Sequence, residues 1–180
     1  FGGARGGGKT DGVLGKWAAK EARYGAGFNA IMFRRTTVSS EDAIERSKQL
    51  FGPLGGKYNE SKLIWRMPHG GRVAFRYLDS VTDADEWQGR NVTDAWIEEA
   101  GQYPSPAPVD KLFGVLRSAG GVPVQMVLTA NPGGAGQHWL RERFGCRNRS
   151  DTVGSEFVFD GGDGGIGFGA GGVGGKGDES

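Results

Sequence analysis

Near the start of the chain, Gly3-Ala4-Arg5-Gly6-Gly7-Gly8-Lys9-Thr10 fits the pattern G-x-x-x-x-G-K-[ST] at every fixed position. Each fixed residue in that pattern has a chemical task. The glycines reach backbone conformations with φ above zero and leave no Cβ to hold an oxyanion away, so successive N–H groups can wrap a phosphate. The lysine reaches the β- and γ-phosphates, and the threonine hydroxyl ligates Mg2+. A helix begun at Lys9 adds its positive N-terminal end to the site. ATP and Mg2+ are the ligands this stretch predicts. The alternative is a glycine-rich turn that matches by accident, which 35 glycines in 180 residues make easier.

Two further stretches carry chemistry. An apolar run leads through Asp94-Ala95-Trp96-Ile97 into Glu98-Glu99. An ATPase needs one acidic group at a strand end to hold Mg2+ and a neighbouring carboxylate to polarise the attacking water. Glu98 on the metal and Glu99 as base meet both needs, because the backbone turns at a strand's last residue and lets adjacent side chains reach one site. Most acidic pairs are solvated surface, which is the competing reading. The third stretch, Val127-Leu128-Thr129-Ala130-Asn131-Pro132, delivers Asn131 to the end of an apolar run. Open parallel sheets bind ligands just outside the carboxyl ends of their strands, so Asn131 can sense the γ-phosphate or the attacking water. A plain Asn-Pro turn is the alternative.

These residues need a scaffold to bring them together. Val13, Leu14, Trp17, Ala18 and Ala22 recur at helical spacing and predict a helix ending near Tyr24-Gly25. Residues 28–36 read as a buried strand ending in a basic pair. A helix follows to about Phe51, capped near Ser39-Ser40, and is broken by Gly52-Pro53. Strands are expected at Lys62–Met67, Arg72–Leu78, Val92–Glu98 and Val122–Thr129. A helical turn is expected over Asp83–Gly89, and helices over Val109–Ser118 and Gln137–Phe144. Strands alternating with helices predict an α/β fold with a mainly parallel central sheet flanked by helices.

A chain of 180 residues suits one such domain. Residues 1–76 hold 14 Lys/Arg against 6 Asp/Glu, whereas residues 77–111 hold 2 against 8. A basic first half suits a polyanionic partner or is simply a solvated surface. One cysteine, Cys146, excludes an internal disulfide and fits a reducing compartment. Two histidines and one cysteine supply no metal cluster, and no apolar run is long enough for a membrane span. From Gly161 to Ser180, 11 of 20 residues are glycine. Such a segment has too little to bury to offset its ordering entropy, so disorder is expected. The chain starts at Phe1 rather than Met, which marks it as a fragment.

Four segments in order resemble the ATPase domain of the large terminase subunit of tailed phages: GGARGGGKT, FRRT, YLDSVTDADEWQGRNVTDAWIEEAGQYP and LTANPGGAGQHWLRERF. The resemblance covers residues 2–144. It implies a P-loop NTPase fold of the additional-strand, conserved-glutamate (ASCE) type over 1–144, lacking the strand before the phosphate loop. Residues 145–180 remain as a glycine-rich tail, expected to be disordered or aberrant, with no nuclease domain. It implies an ATP-hydrolysing motor that drives viral DNA into the capsid. The partners it implies are double-stranded DNA, the phage portal, the small terminase subunit and further copies of itself in a ring, in the cytoplasm of an infected bacterium. By resemblance, Lys9 and Thr10 take the phosphate and metal roles, Gly3 to Thr10 bind ATP, and Arg5 is the arginine within the loop. Glu98 fills the metal-side acid position, where many relatives carry Asp. Glu99 fills the catalytic glutamate position and Asn131 the coupling position. Trp87-Gln88-Gly89 matches a family segment with no assigned role, and a structural turn is its simpler reading. Another P-loop ATPase of helicase type, or an inactive nucleotide-binding fragment, is the alternative function.

Overall fold

A computed structural model describes residues 8–36, 40–118, 120–131 and 133–144, and the backbone of 156–160. Helix α1, Lys9–Tyr24, buries Val13, Leu14 and Trp17 at helical spacing and stops at Gly25. Strand β1, Asn29–Arg34, follows, then helix α2, Glu41–Phe51. Strands β2, Lys57–Asn59, β3, Ile64–Arg66, and β4, Arg72–Tyr77, come next. Helix α3, Val81–Asp85, opens with a capping box in which Ser80 and Asp83 satisfy each other's backbone N–H. Strand β5, Asp94–Ile97, helix α4, Ala107–Phe113, strand β6, Gln125–Thr129, and helix α5, Gln137–Phe144, complete the alternation, with strand β7 at Glu156–Asp160.

The strands form one sheet in the order β2-β3-β4-β1-β5-β6-β7. Its centre is parallel: β4 with β1, β1 with β5, and β5 with β6. Both flanks are antiparallel: β2 and β3 on one side, and β7 against β6 on the other. The α/β expectation therefore holds, with parallel pairing confined to the four inner strands.

Helices cover both faces. On one face Val13, Leu14 and Trp17 of α1 and Phe51 of α2 pack on Phe75, Trp65 and Trp96. On the other, Ala84, Leu112, Trp139, Leu140 and Phe144 pack on Phe33, Ile97 and Leu128. Each buried large side chain contributes about 1.5–3 kcal/mol. Glu21, a buried carboxylate near the end of α1, accepts from the His69 and Gly71 backbone N–H groups at 2.8 and 3.3 Å. His69 Nδ1 lies 3.0 Å from it. These contacts fasten α1 to the turn between β3 and β4.

Several boundaries differ from the sequence reading. The helix expected over 109–118 is Ala107–Phe113, because Gly114 ends it and Leu116 bridges to Val92. The turn expected over 83–89 begins earlier, at the Ser80 cap. Strand β2 was not anticipated. Within the tail expected to lack order, Glu156–Asp160 forms β7, because the free edge of β6 offers it a ladder. The rest of that tail, Ser39, and Gly3 to Gly7 with Arg5 lie outside the described residues.

A candidate nucleotide site at the carboxyl edge of the parallel strands

Because β1, β5 and β6 run parallel, their carboxyl ends share one edge of the sheet. Arg34 closes β1, Glu98 and Glu99 follow β5, and Asn131 lies just past β6. Lys9 and Thr10 open α1. Gly8 precedes them with φ 72°, a left-handed conformation that favours glycine, and its carbonyl accepts from the Gly12 N–H at 2.9 Å. That geometry fixes where α1 starts and therefore where Lys9 points.

Lys9 Nζ donates to Asn131 Oδ1 at 2.7 Å, across 122 residues of sequence. Burial lowers the lysine's pKa, opposed by the negative charges of Glu98 and Glu99. Cation, amide and both carboxylates thus share one neighbourhood. Thr10 is half-buried in the first turn of α1 beside them.

Past β5 the backbone reverses at Glu99, whose φ of 54° is left-handed and rare for a non-glycine residue. A residue held this way stores about 1 kcal/mol or more of strain. The reversal turns Glu98 and Glu99, which an extended strand would send to opposite faces, toward a single guanidinium. Arg34 Nη1 lies 3.3 Å from Glu98 Oε2, and Nη2 lies 3.0 Å from Glu99 Oε1. Gln102 also donates to Glu99. Burial pushes the Glu98 carboxyl up to about 7; Arg34 opposes this, whereas Glu99 and Asp42 add to it. Although Arg34 is near, Glu98 Oε2 and Arg34 Nε have no hydrogen-bond partner among the described residues. Buried polar atoms are normally satisfied, so an unsatisfied atom on each of two paired side chains marks hydrogen-bonding capacity to spare.

The loop carrying Asn131 is keyed to the turn carrying Glu99. The Gly136 N–H donates to the Gly101 carbonyl at 2.8 Å. A Cβ at Gly136 would stand 2.2 Å from the Tyr103 carbonyl oxygen, so only glycine fits there. Trp139 Nε1 donates to that same carbonyl at 2.8 Å.

The donor set suits Mg2+. A carboxylate with an orphaned oxygen and a threonine hydroxyl are hard oxygen donors, and Mg2+ is usually held by one or two carboxylates together with substrate phosphates. Among the described residues no group of three His, Cys, Asp or Glu could hold a metal alone.

Of the residues singled out from sequence, Lys9, Glu98, Glu99 and Asn131 meet at this edge, and Thr10 follows Lys9 in the first turn of α1. Gly3, Ala4, Arg5, Gly6 and Gly7 fall outside the described residues. Arg34 was missed as a site residue. The only signal for it was the basic pair in FRRT, and the neighbouring Arg35 instead binds Asp79 at 2.6 Å and the Gln102 carbonyl at 2.8 Å. Trp87, 8% exposed, stacks its ring edge-on against Phe33, a packing role that suits the structural reading of its segment.

Among solved structures, the large terminase of bacteriophage HK97 superposes with a TM-score of 0.57 at 12% identity, covering 82% of this chain and 32% of that one. At that identity the likeness shows the fold. The large terminase ATPase domain of Thermus phage P74-26 aligns over 62% of this chain and 51% of its own, at 16% identity and a TM-score of 0.43, too low to carry an argument. The chain thus spans about a third of the HK97 protein and half of the Thermus phage domain. No curated protein matches the sequence. No helix among the described residues is long and apolar enough to cross a membrane. The family model for the phage terminase large subunit matches residues 1–163, nine tenths of the sequence. The chain therefore belongs to the phage terminase large subunit family.

Proposed function

We propose that this chain is the ATP-hydrolysing motor domain of a terminase large subunit, coupling nucleotide turnover to the movement of double-stranded DNA into a capsid. The observation that carries this reading is the meeting of Lys9 with Asn131 at 2.7 Å within the field of Glu98 and Glu99. Residues 1–144 are the motor domain in this reading and 145–180 a glycine-rich extension. Gly3 to Gly8, with Arg5 among them, wrap the phosphates. Lys9 neutralises the charge that develops on the transferring phosphoryl group. Thr10 and Glu98 would hold Mg2+, which would supply positive charge to the phosphates.

Glu99 takes a proton from water as its oxygen attacks the γ-phosphorus in line, releasing ADP and phosphate. The left-handed turn at Glu99 and the Arg34 guanidinium hold that carboxylate in place. Asn131, tied to the Glu99 turn through Gly136 and Gly101, reports the state of the γ-phosphate. Duplex DNA, the portal, the small terminase subunit and a ring of further copies are the partners this role requires, in the cytoplasm of an infected cell.

Calorimetry with MgATP and a phosphate-release assay test the reading. The chain is expected to bind MgATP, Lys9→Ala to lose that binding, and Glu99→Gln to bind while turnover falls at least about a hundredfold. Failure of the chain to bind nucleotide, or near-normal turnover by either variant, overturns it.

A further inference from the structure

The antiparallel strands at one side of the sheet carry charge that the nucleotide site does not use. Lys57 on β2 is paired with Arg66 on β3, and Arg66 with Arg72 on β4. Residues directly opposite one another in neighbouring strands project from the same face. The three therefore form a cationic row across three strands, with about 4.8 Å between strands. All three are exposed. Arg76, two pleats further along β4 on that face, and Arg90 stand at 5.8 and 4.6 Å from the ring centre of Trp87. Arg72 and Arg90 lie close enough to Arg76 to depress its pKa, after the larger effect of burial. Among the described residues none of these five cations forms an ion pair.

Like charges placed directly opposite destabilise a sheet. Lysine on an edge strand commonly deters pairing with another chain, which accounts for Lys57. It does not account for Arg72, which sits on β4 between β3 and β1. Nor does packing, because Arg72 is exposed while its strand neighbours Trp65 and Val73 pack on the opposite face and Ala74, on its own face, is buried further along the strand. Arg72 also lies beside Asn29, the first residue of β1, at the other end of that strand from Arg34. The five intervening steps put the row about 16 Å from the nucleotide edge.

We propose that this row grips the phosphodiester backbone of duplex DNA, an assignment that rests on the motor reading above. Exposed, unpaired guanidinium forks match phosphate oxygens two at a time, and a row of fixed cations suits a partner with regularly spaced charge.

The test is fluorescence anisotropy of a labelled duplex of about 30 base pairs with the 180-residue chain, from about 25 to 200 mM salt. Wild-type affinity is expected to fall steeply with salt. The triple variant Lys57→Gln, Arg66→Gln, Arg72→Gln is expected to flatten the log–log slope by roughly three and to weaken binding about a hundredfold near 0.1 M salt. A control triple in the α4–α5 region, Lys111→Gln, Arg117→Gln, Arg143→Gln, should change the slope by less than one. Circular dichroism should show all three proteins folded alike, since the substituted positions of the row are exposed. A row variant with the wild-type slope, a control that flattens it equally, or no duplex binding at low salt overturns the proposal. So does binding of polyglutamate in place of the duplex, which would make the partner an acidic protein. MgATP calorimetry on the same samples keeps the two readings apart: nucleotide binding with no DNA binding sinks the row alone, and the reverse sinks the motor reading.

Discussion

Strand β5 has a buried acid at its start and a half-buried one just past its end, and the two are treated differently. At its start, Asp94 is 1% exposed and accepts from Lys20 Nζ at 2.9 and 2.7 Å. Lys20 spends another proton on the Pro123 carbonyl at 2.6 Å. Just past the strand's end, Glu98 faces Arg34 at 3.3 Å, yet one atom of each side chain finds no hydrogen bond among the described residues. The first pair is complete and holds elements together. The second is an ion pair whose polar capacity is left open, on a turn whose backbone is also strained at Glu99. A nearby cation therefore does not make the two acids alike; completeness of hydrogen bonding separates them.

Breaking the complete pair should have the largest effect on stability. Lys20→Ala leaves Asp94 buried without its cation, and urea unfolding at neutral pH should record a loss of about 3 kcal/mol. A loss below about 1 kcal/mol would show that the pair is not a structural anchor.

The open pair should behave in the opposite sense. Glu98 has its folded pKa raised from 4.5 to about 7, so the folded state holds the proton more tightly than the unfolded chain does. Its contribution to stability is fully present below about pH 4.5 and is lost as pH rises through 7. Glu98→Gln escapes that loss. It should melt higher than the wild-type chain at pH 8, by about 1–2 kcal/mol once relaxation around Arg34 is allowed for, and equally at pH 4. Equal melting at both pH values would remove the asymmetry drawn here.

A third ion pair sets the baseline. Asp11 and Arg46 join α1 to α2, and both side chains are more than two fifths exposed. Asp11→Asn should cost under about 0.5 kcal/mol, with a slightly larger cost at low salt.

Much of the scaffold was legible in the sequence for reasons visible in the fold. Helix α1 announces itself through Val13, Leu14 and Trp17 because one face alone is buried. Strand β1 is different. Five of its six residues are buried, so its apolar run has no two-residue alternation, and nothing in FRRT says which arginine turns inward. Arg34 became a site residue only when β1 lay between β4 and β5. Strand β2 is three residues long and β7 pairs only along the edge of β6, so neither carries enough pattern to be read. Lys57, Arg66 and Arg72 form a row only through strand register, which no local signal encodes.

The fastening of Glu21 to the β3–β4 turn has a mechanical side. From Lys9 to Glu21 is twelve residues of unbroken helix, a rod of about 18 Å. One end of the rod carries Lys9 and Thr10; the other is riveted by a buried carboxylate to the hairpin whose arms bear Arg66 and Arg72. The helix therefore links Lys9 at one sheet edge directly to the arginine-bearing hairpin at the other.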